Sequence, residues 1–163
     1  MFKLLDIKKF TRAGILIALG VACSSLSIPI GVAKVYPVQH FINVLAGATL
    51  GPGYAVNMAF ITSLIRVIIG TGTMLAFPGS MCGAFLSGLL YKYTKRVSMA
   101  YIGEVFGTGI IGAVLAYPVA TFIMSRDAAL FGFIIPFGVS SVAGATISTI
   151  FIVLFNRLKI HAS

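Results

Sequence analysis

Charge is scarce in this sequence. Only 9% of its 163 residues are charged and 59% are hydrophobic, against roughly a quarter charged in ordinary soluble domains. A soluble fold of this size has too little interior to hide so much apolar surface, whereas a bilayer does not require it to be hidden. Acidic groups are scarcer still, with three Asp and Glu, and there are two His. That leaves few participants for hydrolysis or group transfer. Neither a G-x-x-x-x-G-K-[ST] phosphate loop nor an H-E-x-x-H metal motif occurs. Ion-coupled transport is weakly supported for the same reason, because intramembrane relays use several acidic groups. No Cys/His cluster offers metal ligands, so no cofactor is expected. Cys23 and Cys82 both sit inside apolar runs and read as small hydrophobes.

What remains is a string of apolar segments. A spanning helix needs about 20 such residues, so the chain has length for at most six or seven spans and none for a second, soluble domain. Turn residues divide it into six expected spans, at about 10–28, 37–52, 54–70, 78–93, 98–124 and 130–158. The expected fold is an all-α membrane bundle forming one domain over residues 1–163. Pro29 is expected to stop the first span, and Pro37 and Pro78 to open the second and fourth. Gly51-Pro52-Gly53 turns the chain between the second and third. The outer segment from Pro29 to Pro37 is expected to be a loop, and Pro118 to kink the fifth span.

The net charge of +9 reports orientation. Lys3, Lys8, Lys9 and Arg12 precede the first apolar run, Lys92, Lys95 and Arg96 follow the fourth, and Arg157 and Lys159 close the sixth. A nucleic-acid partner would need cations gathered on one folded face. Here they fall at points separated by even numbers of spans, as the excess of Lys and Arg in cytoplasmic loops requires. With both termini in the cytoplasm, nine cations lie inside, Lys34 and Arg126 lie outside, and Arg66 lies within a span. The basic N-terminus followed by Ala13–Val21 also mimics a signal peptide. The later spans need that helix for their orientation, so it is expected to be retained.

Ionisable groups within a membrane are functional candidates, and Arg66 and Glu104 qualify. Arg66, near the outer end of the third span, either snorkels to the surface or donates hydrogen bonds into an outward-facing cavity. Glu104, about two turns into the fifth span from the cytoplasmic side, is expected in a structural hydrogen bond or an ion pair with the inner cations rather than on a ligand. The two sit at different depths, so no direct pair is expected. On the outer side, Gln39, His40 and Asn43 occupy the start of the second span, Gln39 and Asn43 on one face. Thr71, Thr73, Phe77 and Ser80 come from the turn into the fourth, and Tyr36, Tyr117 and Phe137 add aromatic rings. Aromatic walls with a few polar groups suit a small organic ligand. Small residues recur every fourth position in three spans: Gly14, Ala18 and Ala22; Gly112, Ala116 and Ala120; Ser140, Gly144 and Ser148. Such stripes let helices approach closely, and the last two sets read as internal packing.

Three segments carry a family resemblance. Tyr36–Gly47 (YPVQHFINVLAG), Gly70–Ser80 (GTGTMLAFPGS) and Gly103–Gly112 (GEVFGTGIIG) resemble the ThiW family. These are substrate-binding S components of energy-coupling factor (ECF) transporters, assigned to uptake of the thiazole precursor of thiamin. The resemblance implies a six-helix fold that binds the precursor near its outer face. It implies a T subunit docking on an Ala-x-x-x-Ala stripe, matched by Ala18 and Ala22 with Gly14 one turn earlier. It also implies two separate ATPase subunits, in keeping with the lack of a phosphate loop, and delivery by toppling in the membrane. Hydroxyethylthiazole, a neutral aromatic alcohol, would stack on Tyr36, Phe77, Tyr117 or Phe137. It would hydrogen-bond Gln39, Asn43, Thr73 or Ser80, leaving Arg66 and Glu104 unexplained. Two other readings stand beside this one. The first is a small self-sufficient homodimeric transporter or channel. The second is an intramembrane enzyme using His40 with Glu104, which their expected placement in opposite halves of the bilayer argues against.

Overall fold

Proline and glycine punctuate the chain into six helices. In the computed structural model, which describes residues 4–30 and 33–161, these are α1 (Leu4–Ala22), α2 (Pro37–Leu50), α3 (Pro52–Ile68), α4 (Ala76–Thr94), α5 (Val97–Ile123) and α6 (Ile134–His161). Lys3 of the first basic cluster lies outside the described residues. Pro37 and Pro52 each sit in the first turn of their helix, where a missing N–H costs nothing. Between α2 and α3 the chain reverses at one residue, Gly51, whose φ of 93° is open to glycine but strained for other residues.

Helix ends differ from expectation for local reasons. The first helix starts at Leu4 and stops at Ala22, before a 3-10 turn at Cys23–Ser25. Ser24, Ser25 and Ser27 follow one another closely there, and serine hydroxyls compete for backbone hydrogen bonds. The expected outer loop contains a short antiparallel pair, β1 (Ile28–Ile30) with β2 (Ala33–Val35), in which Ile28 faces Val35. Ile28, Ile30 and Val35 are β-branched and suit extended backbone. Residues 130–133 form a turn, so the last helix begins four residues later than expected, at Ile134. Around Pro118 the disturbance takes the form of π-helical turns, Gly107–Gly112 before it and Val119–Ile123 after it.

Packing is centred on α4 and α2. Helix α4 lies against α3, α5 and α2; α2 also packs on α6 and α3; α1 is peripheral, resting on α2 and α3. The interior is built from small side chains, Ala55, Ala84, Ala100, Ala113, Ala116 and Ala145 being fully buried, which lets helix backbones approach. The stripes of α5 and α6 face inward, with Gly112, Ala116, Ala120, Ser140 and Ser148 all buried. The α1 stripe does the opposite: Gly14, Ala18 and Ala22 are exposed, and a Cβ at Gly14 would meet nothing within 4 Å.

The outer faces carry large apolar side chains, among them Ile68, Phe122, Ile135 and Leu154, a surface suited to lipid rather than water. Among the described residues two helices, Val97–Ile123 and Ile134–Leu158, are by themselves long and apolar enough to cross a membrane. Helix α2, with 14 residues, is only about 21 Å long, short of the ~30 Å hydrocarbon core. Its first residue, Pro37, is buried within the bundle.

Candidate substrate cavity

Because the helices alternate in direction, the C-terminal ends of α1, α3 and α5 meet the N-terminal ends of α2, α4 and α6 at one end of the bundle. They surround a cavity of about 780 Å³, within the range of small-molecule sites. The segment after α1 supplies Ser24, Ser25 and Ser27, and the start of α2 supplies Tyr36, Gln39 and His40. Arg66 enters from the last turn of α3, followed by Gly70–Thr73. Helix α4 contributes Ala76, Gly79 and Ser80; α5 contributes Thr108, with Arg126 just beyond its end. Phe133, Pro136, Phe137 and Ser140 complete the wall at the start of α6.

Beneath the cavity lies a buried polar hub. Glu104, fully buried on α5, presents Oε1 to Asn43 Nδ2 at 3.0 Å and to His40 Nδ1 at 2.7 Å. The amide of Asn43 donates to Oε1, which also pairs with Nδ1 of His40, so Nε2 is the ring atom left for other partners. The second N–H of Asn43 reaches Ser80 O at 3.1 Å. The Thr108 hydroxyl stands 3.1 Å from Oε1 and 3.0 Å from Gly79 O, with one proton to give. This close crossing of α4 and α5 requires glycine at position 83, where a Cβ would stand 2.8 Å from Glu104 Cδ.

A second set of contacts runs up the wall. Arg66, 2% exposed, donates through Nη1 to Gln39 Oε1 and through Nη2 to Thr71 O at 3.5 Å. Its guanidinium carbon lies 4.6 Å from the centre of the Tyr36 ring, a cation–π distance. Gln39 Nε2 donates to Ser63 Oγ at 3.3 Å, which in turn is 3.1 Å from Ser80 Oγ. Ser24 Oγ donates to Thr71 Oγ1 at 2.9 Å, tying the end of α1 to the loop after α3. The polar groups thus form one network from rim to floor.

Tyr36, Gln39, His40, Arg66, Thr71, Thr73, Ser80 and Phe137 all line this cavity. Three other residues considered from sequence do not. Asn43 sits one turn below Gln39, its amide engaged by Ser80 O and Glu104. Phe77 turns outward and packs on Phe60, ring centres 5.5 Å apart. Tyr117 lies between the two π-helical turns of α5, the first of which re-registers the side chains that follow it relative to a regular helix. The expected separation of His40 and Glu104 is also corrected: they are hydrogen-bonded, and Glu104 pairs with no cation of the basic clusters among the described residues. Arg66 faces the cavity instead of snorkelling. The serines after α1 and the residues Phe133 and Pro136 escaped the sequence reading; three serines in four residues after an apolar run were the available sign.

A family model described as thiamine-precursor transporter protein (ThiW) matches residues 10–158. A solved structure of the S component of a bacterial ECF transporter is similar in fold, with a TM-score of 0.72 over 97% of this chain and 99% of that one, at 20% sequence identity. No curated protein matches the chain in sequence. Identity at that level speaks to fold alone, whereas the family match spans nearly the whole bundle and its cavity. The chain is thus a membrane transport protein rather than an enzyme, and it belongs to the thiamine-precursor transporter (ThiW) family.

Proposed function

We propose that this chain is the substrate-specificity subunit of an ECF-type importer, binding a thiamin precursor of the hydroxyethylthiazole type near the outer face of the membrane. The observation that carries the reading is the cavity: about 780 Å³, walled by Tyr36, Phe133 and Phe137, at the end of the bundle away from both termini. The thiazole ring stacks on these rings, and its hydroxyl donates to Nε2 of His40, held in place by Glu104. Ser80, Thr73 and Gln39 offer the remaining polar contacts.

The cations support an orientation. Lys8, Lys9, Arg12, Lys92, Lys95, Arg96 and Arg157 are all exposed and sit towards the end opposite the cavity. Lys and Arg favour the cytoplasmic side, which supports a topology of six crossings with both termini inside and the cavity outside. The exposed small-residue stripe on α1 supports docking of a T subunit on Gly14, Ala18 and Ala22. Energy comes from two separate ATPase subunits, and the loaded bundle topples against the T subunit to release its ligand inside.

The test is equilibrium binding to the purified chain of hydroxyethylthiazole, thiamin, the pyrimidine precursor and riboflavin. Submicromolar binding of the thiazole, with weaker binding of the others, is expected. Absence of binding by all four overturns the reading. Uptake into proteoliposomes by this chain alone, without ATPases, favours a self-sufficient homodimer instead.

A further inference from the structure

Arg66 is almost completely buried, yet among the described residues no carboxylate stands within ion-pair distance of it; the ion pair found in the bundle is His40 with Glu104. The partners of Arg66 are neutral: Gln39 Oε1, Thr71 O and the Tyr36 ring. Its Nε has no partner among the described residues. A buried guanidinium without a counter-charge is costly, and cations within membranes are normally paired. This one is also not packed away in a core, because it lines the cavity. Arg126 lines the same cavity while its neighbour Asp127 does not, and no Asp or Glu is among the described lining residues. The Glu104 carboxylate lies beneath the floor, engaged by His40 and Asn43, so the lining itself carries positive charge at Arg66 and Arg126, strengthened by its low-dielectric walls.

We propose that the cavity takes an anionic substituent of its substrate against Arg66, with Arg126 at the rim. The preferred ligand is then a heteroaromatic ring carrying a carboxylate or a phosphate monoester rather than the neutral alcohol. The inference rests on the reading that the chain binds a thiamin precursor. A guanidinium presents a planar fork of donors matched to either group. The Thr71 hydroxyl, which accepts from Ser24 Oγ and otherwise reaches the Arg66 carbonyl at 3.5 Å, stands beside it with a proton for a further acceptor oxygen. Tyr36, already against the guanidinium, is placed to touch the ring of the same ligand, and the volume exceeds what one five-membered ring needs. Arg66 also lies in the last turn of α3, where a cation complements the helix dipole. That role alone predicts no dependence on ligand charge.

The experiment compares affinities of the full chain in lipid nanodiscs for hydroxyethylthiazole, its phosphate monoester and the carboxylic acid of the same ring. At least one anion is expected to bind about 10- to 100-fold more tightly than the alcohol, the range of one or two charge-assisted hydrogen bonds. That preference shrinks as salt is raised, collapses in Arg66→Gln and is partly reduced in Arg126→Gln. An alcohol that binds as tightly as both anions overturns the inference, as does a preference that survives intact in Arg66→Gln. Should Arg66→Gln lose its fold by circular dichroism, the wild-type ratio and its salt dependence decide. Failure of all three ligands to bind overturns the thiamin-precursor reading itself, and the anion subsite with it.

Discussion

Replacing Glu104 with leucine keeps most of the side chain's bulk and removes its acceptor oxygens. Oε1 now receives His40 Nδ1 at 2.7 Å and Asn43 Nδ2 at 3.0 Å. Thr108 retains Gly79 O and Asn43 retains Ser80 O for its other N–H, so two donors are stranded in a buried site. A stranded donor costs about 1–3 kcal/mol, while an interhelical hydrogen bond in a membrane protein is worth nearer ~0.6 kcal/mol. Stranding dominates, and the expected loss is about 2–4 kcal/mol. At about 2–4 °C per kcal/mol for a chain of this length, the apparent melting temperature falls by about 4–16 °C. Far-UV circular dichroism is the suitable readout, because the chain has no Trp for fluorescence. Glu104→Gln keeps an oxygen able to accept from both donors and should lose less than half as much. A Glu104→Leu melt within about 2 °C of wild type refutes the hub. A Gln variant as unstable as the Leu variant shows that an amide does not substitute for the carboxylate, whose Oε2 is buried with no hydrogen-bond partner among the described residues.

Gly83→Ala places a Cβ 2.8 Å from Glu104 Cδ and is expected to destabilise by about 1–3 kcal/mol in the same melt. Gly14→Ala, with nothing within 4 Å, should be neutral or slightly stabilising, by up to about 1 kcal/mol; equal effects would contradict the packing. Ala18→Leu or Ala22→Leu is expected to spare ligand binding and to abolish co-purification with the T subunit, and a variant that still co-purifies removes the stripe as the docking face. With Cys23 and Cys82 replaced, Lys95→Cys should react with an impermeant thiol reagent only from the cytoplasm and Ser25→Cys only from outside. The reverse pattern overturns the orientation.

Helix number and order were legible because proline, glycine and the three basic clusters act locally. Depth was not. Counting turns from an assumed boundary put Glu104 in the inner half of the bilayer and His40 in the outer half. That treats all six helices as equal cylinders, whereas α2 has 14 residues and α5 has 27. The short α2 starts below the surface and carries His40 down to a carboxylate eight residues into α5. The cavity was half legible for a related reason. Residues on regular helix starts, such as Gln39 and Ser80, keep the facing that helical periodicity predicts. Ser24, Ser25 and Ser27 reach the cavity only because the chain leaves α-helical geometry after Ala22.

Each polar residue of the network looks isolated in sequence, since periodicity shows the faces of one helix and not which faces meet. Together they join the cavity wall at Arg66, through Gln39, Ser63, Ser80 and Asn43, to Glu104 and Thr108 on α5. Thr108 lies within the first π-helical turn, where backbone hydrogen bonding is least regular and such turns often mark functional positions. Ligand contacts at Arg66 and His40 therefore bear directly on how α2, α4 and α5 hold together. A ligand at 100 times its Kd should add about 2.7 kcal/mol to stability through mass action alone. The increment should persist in Gly14→Ala, which lies outside the network, and shrink in Glu104→Leu at the same ligand concentration, because His40 has lost the partner that orients it.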